Sequence, residues 1–292
     1  MLPDPKSVVR RAANAGMRSA FPVRGEVHVP VETDGDAGLF GPDSVTWRVH
    51  AHPSVLVGGI RALLVQSLHP LAIAGVAQHS QYRRDPLGRL QRTAAYVAAT
   101  TYGTTADADE AIARVRAVHE RVRGVAADGR PYAASDPALL AWVHHVEVES
   151  FLVAYERVGP GLSRADSDRY VAEMAVLGAR FGVPDPVTTA AAVQTWVRRH
   201  PEQRTTADAR SAVRFLVMPP LPGAARAAYV VLLGAAISLI PLRQRLMLGL
   251  VLPGPVTGRL ASEPAARALC AALGWSLGPS PALERARARV SA

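Results

Sequence analysis

The residues of this chain whose types and spacing could do chemistry are histidines, arginines and two carboxylates carried on helical patterns. In the segment Asp107–Arg123, the apolar residues Ile112, Val115 and Val122 recur on one helix face, and His119 fills the gap in that register. An imidazole on a face meant for burial is either a hydrogen-bonded core residue or a metal ligand, and spacing alone leaves both open. In the segment Asp85–Tyr102, Leu87, Leu90, Ala94 and Val97 make an apolar stripe. Arg89 and Thr93, four apart, share a neighbouring face, as do Arg92 and Tyr96. A guanidinium beside a hydroxyl at the margin of a core can donate to a bound anion or to O₂. It can equally be a solvated edge.

The segment Pro137–Arg157 is apolar nearly all round, which marks a central helix, yet it carries His144, His145, Glu147 and Glu149. Buried charge without a partner is costly, so some of these must be paired or ligating. Di-iron carboxylate bundles place Glu-x-x-His on facing helices. Here the order is reversed, His144-x-x-Glu147, and occurs once, so a di-metal carboxylate oxidase stays an alternative. His69 precedes Pro70 where a helix should break, and there it can cap free carbonyls or face a ligand; His79 follows ten residues on. No Gly-rich phosphate loop, Gly-x-Ser-x-Gly elbow or His-Glu-x-x-His motif occurs, so phosphoryl transfer, Rossmann hydride transfer and serine hydrolysis lose their usual support.

The elements that must position these residues are punctuated as helices. Gly41-Pro42-Asp43 opens a short one to about His50, and a longer one runs from Ser54 to Leu68. Asp85-Pro86 is an N-cap followed by proline at the first helical position, and Gly103 closes that helix after Tyr102. Asp107 with Glu110 reads as a capping box, with Gly124 ending the segment. Asp136-Pro137 opens the central helix; Ser163 with Asp166, Pro186, Thr206 and Pro222 open later ones. Residues 1–40 read as irregular, with a strand-like alternation at Glu26–Val31 that proline demotes. No repeat or linker divides the rest. The expectation is an all-α fold, a single globular multi-helix domain over residues 41–292.

Composition narrows the class. Hydrophobic residues make up 49% of the 292, enough for a sizeable core, but aromatics only 5%, so that core is mostly Ala, Val and Leu. The net charge is +9, but 32 of the 33 basic residues are arginines scattered along the helices, with Lys6 the one lysine. No basic block interleaves with aromatics and no recognition-helix or zinc-finger spacing occurs, so nucleic acid is not an expected partner. Cys270 alone excludes an internal disulfide framework. The start shows no signal-like apolar stretch, and the expected compartment is cytoplasmic. The most apolar run, Ala227 to Leu242, has 16 residues, short of the ~20 that span a bilayer, so no transmembrane segment is expected. It reads as a buried core helix, with a helix lying on a membrane, a peripheral contact, as the other reading.

Six segments in order carry a resemblance. They are the Gly41–Trp47 segment, Gly58–Pro70, Ala74–Ser80, Asp85–Thr93, Val118–Gly124 and Asp136–His144. Together they resemble the bacterial family that includes the catalytic domain of rubber oxygenase (latex clearing protein) and the mycophenolic-acid-pathway oxygenase. The resemblance implies an all-α fold enclosing one haem b, with a histidine as proximal iron ligand and O₂ as co-substrate. Carried over by motif, that ligand is His119, in the His-x-x-Val-Arg segment. The distal Arg-x-x-Lys-Thr pattern falls on Arg89, Arg92 and Thr93. Arg92 stands where rubber oxygenase has a lysine that can close the sixth iron position, and a guanidinium cannot deprotonate to ligate. No glutamate lies upstream of Arg89 to match the family's proposed base: Gly75, Ala77 and Gln78 stand there. Haem propionates need cations, for which Arg61, Arg84 and Arg123 are candidates, with His69 a further cofactor-side residue. The implied activity is oxygenation of a small apolar, isoprenoid- or polyketide-like substrate; a non-catalytic helical haem- or lipid-binding protein is the alternative from another class.

Overall fold

The structure, a computed structural model, describes residues 34–221 and 223–291. The expected strand at Glu26–Val31, most of the irregular N-terminal segment and the helix start at Pro222 lie outside the described residues. Most expected helix starts are realised by the side chains that signalled them. Asp85 accepts from Gly88 N ahead of α4 (Pro86–Tyr102), Asp136 from Ala138 N ahead of α6 (Pro137–Val158), Ser163 from Asp166 N ahead of α7 (Arg164–Phe181), and Thr206 from Ala209 N ahead of α9 (Ala207–Val217). The earlier helices are α1 (Val45–Ala51), α2 (Val55–Gln66) and α3 (Pro70–His79).

Three boundaries differ from the sequence pattern. The capping box of α5 (Thr105–His119) pairs Thr104 with Asp107, each side chain bonding the other's backbone N–H, rather than Asp107 with Glu110. That helix stops at His119 instead of running to Arg123. The chain then makes a small antiparallel hairpin, β1 (Arg123–Val125) with β2 (Pro131–Ala133), the one sheet among the described residues. The α8 helix (Ala190–Arg199) is capped by Thr189 rather than started at Pro186, because the intervening backbone is held elsewhere: Val187 N donates to His145 Nε2.

The core forms where α2 crosses α6. A Cβ on Gly58 would lie 2.6 Å from the Phe151 ring, so the small residue sets how closely the helices approach. Leu64 and Val65 of α2 and Leu68 just after it join Trp142, Val146 and Leu152 of α6 and Tyr170 and Met174 of α7 in the main cluster, all fully buried or nearly so. On the other side, α10 (Gly223–Ser238) packs Leu232, Ala235 and Ala236 against Val57, Ala154 and Val158. The most apolar run therefore serves as a core helix. Beyond it come α11 (Leu242–Met247), a turn of helix α12 (Pro255–Thr257), a π-turn (Gly258–Ser262), α13 (Glu263–Leu277) and α14 (Pro281–Ser291). The fold is all-α and globular. Among the described residues no single helix is long and apolar enough to cross a membrane.

Candidate active site

The α4–α5 hairpin determines which sequence-named residues meet. The two helices are joined by Gly103 and Thr104 and pack along each other, so position along each is read from the turn. Arg89 on α4 and His119 on α5 both lie ~20 Å from it at 1.5 Å per residue, at the same open end of the hairpin. The loop after α3 and the β-hairpin close around that end. Arg89 donates to Ser80 Oγ at 2.6 Å, with its guanidinium carbon 5.9 Å from the centre of the Tyr82 ring. Gln78 donates to Val125 O (2.9 Å) and accepts from the Tyr132 hydroxyl (2.6 Å), and His79 Nε2 lies 3.1 Å from Arg123 O. A cleft of about 420 Å³ opens among Ala77–Arg84. His79, Arg84, Arg89, His119 and Arg123 thus come to one end of the molecule.

His119 is half-buried, its ring edge-on to Phe181 at 5.6 Å, and its buried Nδ1 has no hydrogen-bond partner. Burial lowers its pKa, which keeps the imidazole neutral and its lone pair available. The Nδ1 atoms of His69 and His145 are also unpartnered, but those side chains are only 3% exposed and sit wedged among rings. Haem asks a protein for one axial imidazole, and His119 fits that demand. An all-protein metal centre asks for more, and among the described residues no group of three His, Cys, Asp or Glu side chains could hold an ion.

One ring ladder continues inward from His119. Phe181 also meets Tyr96 of α4 edge-on, at 6.2 Å. Tyr96 lies within electrostatic range of Glu147 on α6, as does Tyr170, whose hydroxyl is 3.2 Å from His50 Nε2; His50 Nδ1 in turn is 2.8 Å from Thr101 Oγ1. Burial pushes the Glu147 carboxyl up to about 7 and the neighbouring His144 imidazole down to about 3. His144 is fixed by contact: a Cβ on Gly178 would fall 2.6 Å from its Nε2. Val143, one turn before Glu147, is 37% exposed, and Leu63 of α2 is 42% exposed one turn before Gln66, which donates to Val143 O. Aliphatic surface on the two central helices therefore lies beside an ionisable carboxyl.

Other named residues go elsewhere. Arg61 is buried, its Nε donating to Leu239 O (3.2 Å), one terminal nitrogen to Ser150 Oγ (2.7 Å) and the fork to both Glu149 oxygens. Four of its five N–H donors bond inside the core and the side chain is 1% exposed, which keeps it from a propionate. His69 belongs to a separate stack with Trp142, Trp196, His200 and His145, whose neighbouring ring centres lie 4.4–5.7 Å apart. Arg92 is 67% exposed and pairs with Asp85 at 3.3 Å, and Thr93, also exposed, donates to Arg89 O at 3.0 Å. The apolar stripe expected on α4 is corrected too: Leu90 is 56% exposed and Ala94 is exposed, and full burial on this helix begins only at Ala99. The inward line is instead Arg89–Tyr96–Thr100, a heptad and then four residues, which a stripe drawn through aliphatic residues alone does not follow. Glu149 as the partner of Arg61 and the ring stack around Trp142 were missed; three of its four histidine–tryptophan pairs are long-range, and only Trp196 with His200, four apart, left a local spacing to read.

The family model described as "ER-bound oxygenase mpaB/B'/Rubber oxygenase, catalytic domain" matches residues 47–275. No curated protein and no solved structure matches the chain.

Proposed function

The chain belongs to the family of mpaB and rubber oxygenase catalytic domains, and from that premise we propose that it is a haem b-dependent oxygenase using O₂ on a small apolar substrate. The observation that carries the reading is His119: a neutral, half-buried imidazole with a partnerless Nδ1, on α5 at the open end of the hairpin that also carries Arg89 on α4. His119 would hold the haem, which would supply redox-active iron for the oxidation of a C–H or C=C bond by O₂. Arg84 and Arg123, at the same end, are the cations for its propionates.

The chain's own groups divide the remaining work. Arg89, half-buried and with a pKa lowered chiefly by desolvation, is a strong donor in a poorly solvated place and can orient O₂ or an oxygenated product. Thr93 carries its hydroxyl on the same helix but spends its proton on Arg89 O, and Arg92 stays at the solvent edge. Tyr96 and Phe181 wall off water, and Leu63 and Val143 offer aliphatic contact to an isoprenoid- or polyketide-like molecule. Glu147, titrating near neutrality, holds or gives up a proton at Oε beside these side chains.

The occupied Thr93 hydroxyl and the outward Arg92 favour a second reading, a helical haem- or lipid-binding protein without turnover. Haem reconstitution tests the first claim. The purified protein should show an intense Soret band that His119→Ala abolishes and His79→Ala does not. A protein that stays colourless with added haem overturns the reading. Turnover with O₂ then separates oxygenase from binder: Arg89→Ala in an oxygenase should retain haem and lose ~10²-fold in rate, as expected for removal of one donor.

A further inference from the structure

The segment after the core helix α10 presents an apolar surface that the proposed oxygenase site does not use. Leu242, Leu246, Val251, Leu252, Val256 and Leu260 are each between 57% and 78% exposed, all within one continuous stretch. Leu242 and Leu246 share a face of α11, and Val256 and Leu260 share the face one turn apart in the following helical stretch. The loop between is held rigidly. Arg245 is buried beneath it and donates to Leu250 O (3.3 Å), Val251 O (2.7 Å) and Pro253 O, while Gly249 turns the chain at φ +71°. A fold that spends a buried guanidinium on three loop carbonyls is fixing the display of Val251 and Leu252.

The charges carried by this stretch of chain are of one sign. Between Asp208 and Glu263 the chain has six arginines and no lysine, aspartate or glutamate. Arg243 and Arg259 stand exposed among the aliphatic side chains, and Glu263 is buried, bonded to Arg157 at 2.7 Å. We propose that Leu242–Leu260 is a docking surface for an anionic lipid bilayer, with the leucines and valines entering the acyl boundary and Arg243 and Arg259 meeting the phosphates. Two features select the lipid over other occupants. A second copy related by a two-fold axis would set the patch against itself, bringing arginines together without a carboxylate to pair them. Protein interfaces are also enriched in aromatic anchors, whereas the exposed apolar side chains of this segment are all aliphatic, the composition of a surface that dissolves into lipid.

The experiment is vesicle flotation of the purified protein, with pure phosphatidylcholine vesicles and with vesicles also containing phosphatidylglycerol. The wild type should float with the anionic vesicles and weakly or not at all with the neutral ones. Leu252→Asp/Leu260→Asp, at two positions exposed enough to leave the fold intact, should remain at the bottom of the gradient. Arg243→Gln/Arg259→Gln should bind anionic vesicles about 30-fold more weakly and neutral ones unchanged. Circular dichroism of both variants should match the wild type. Failure of the wild type to float, or flotation unaffected by the two aspartates, overturns the proposal. So does a dimer by light scattering that the aspartates split, which gives the surface to a second copy. None of these readouts depends on haem or turnover, so their failure leaves the oxygenase reading where it stands.

Discussion

Where α2 crosses α6, the polar groups are matched: Arg61 places four of its five N–H donors on Glu149, Ser150 and Leu239 O, with 1% of its side chain exposed. At the open end of the α4–α5 hairpin they are not. His119 Nδ1 is buried without a partner, Arg89 is desolvated with a single hydroxyl bond, and no residue of α4 before Ala99 is fully buried. The contrast separates what the fold needs from what it carries. A buried ion pair left half-made costs several kcal/mol, so the first region is held by its own chemistry. The second is stable while polar groups lack protein partners, which is affordable only at a margin and suits groups meant for something else.

Stability measurements should rank the two regions, and the largest effect belongs to the core. Glu149→Ala leaves the Arg61 guanidinium buried and unpaired and should lower unfolding stability by about 3–5 kcal/mol in denaturant titration. Replacing both residues by methionine should recover most of that loss. A single substitution costing less than ~1 kcal/mol would mean that the pair is solvated and the comparison is void.

Next comes Glu147, which belongs to neither extreme. Its folded carboxyl keeps a proton up to about 7, above the ordinary 4.5, so the folded state binds more protons and stability falls as pH rises between those values. The buried imidazoles act oppositely. His50 and His144 are held down to about 4 and about 3, so the unfolded chain takes up protons that the fold refuses, and stability rises from about pH 4 towards 6.5. Glu147→Gln should therefore gain on the order of 2 kcal/mol at pH 8 and nothing at pH 4. Equal effects at both pH values would place the carboxyl in water.

His119→Ala should change the stability of the haem-free protein by less than ~1 kcal/mol, since no hydrogen bond is lost and one edge contact to Phe181 remains to be paid in packing. The same substitution should remove haem retention altogether. A destabilisation matching that of Glu149→Ala would make His119 a core residue, the other reading its register allowed.

Much of this arrangement was legible in the sequence because it is local. Asp85, Asp136, Ser163 and Thr206 announce their helices through bonds spanning two or three residues, and the structure makes each of them. What failed is not local. His119 ends its helix because Arg123 is drawn into pairing with Ala133, a partner ten residues away. Leu90 fits the helical period and is still exposed, since periodicity states which residues share a face and not whether another element covers it. Arg61 looked available for an anion until Glu149, 88 residues on, was found at its fork. Of the candidate site, the residues at the open end came from the motif resemblance, while Glu147, Tyr96 and Phe181 became neighbours only through the packing of α4, α6 and α7.

The smallest expected effect is at Arg92, and it tests the hairpin's orientation. The side chain is 67% exposed and its partner Asp85 50%, at 3.3 Å. Exposed pairs of this kind contribute ~0–1 kcal/mol, and Asp85 keeps its separate bond to Gly88 N, so Arg92→Ala should cost no more than about 0.5 kcal/mol. A guanidinium stays protonated and has no lone pair to offer, so the haem-loaded wild type and Arg92→Ala should give the same absorption spectrum. Arg92→Lys supplies a side chain that can deprotonate, as the lysine in this place does in rubber oxygenase. Because Arg92 points towards Asp85 and solvent, the lysine variant should also keep the wild-type spectrum at pH 7 and at pH 9. A low-spin spectrum with a nitrogen ligand on each side, appearing in Arg92→Lys as pH rises, would mean that α4 turns its Arg92 face inward. The donor role assigned to Arg89 would then pass to the next residues on that face, and the boundary between solvent edge and site would move by about a sixth of a helical turn.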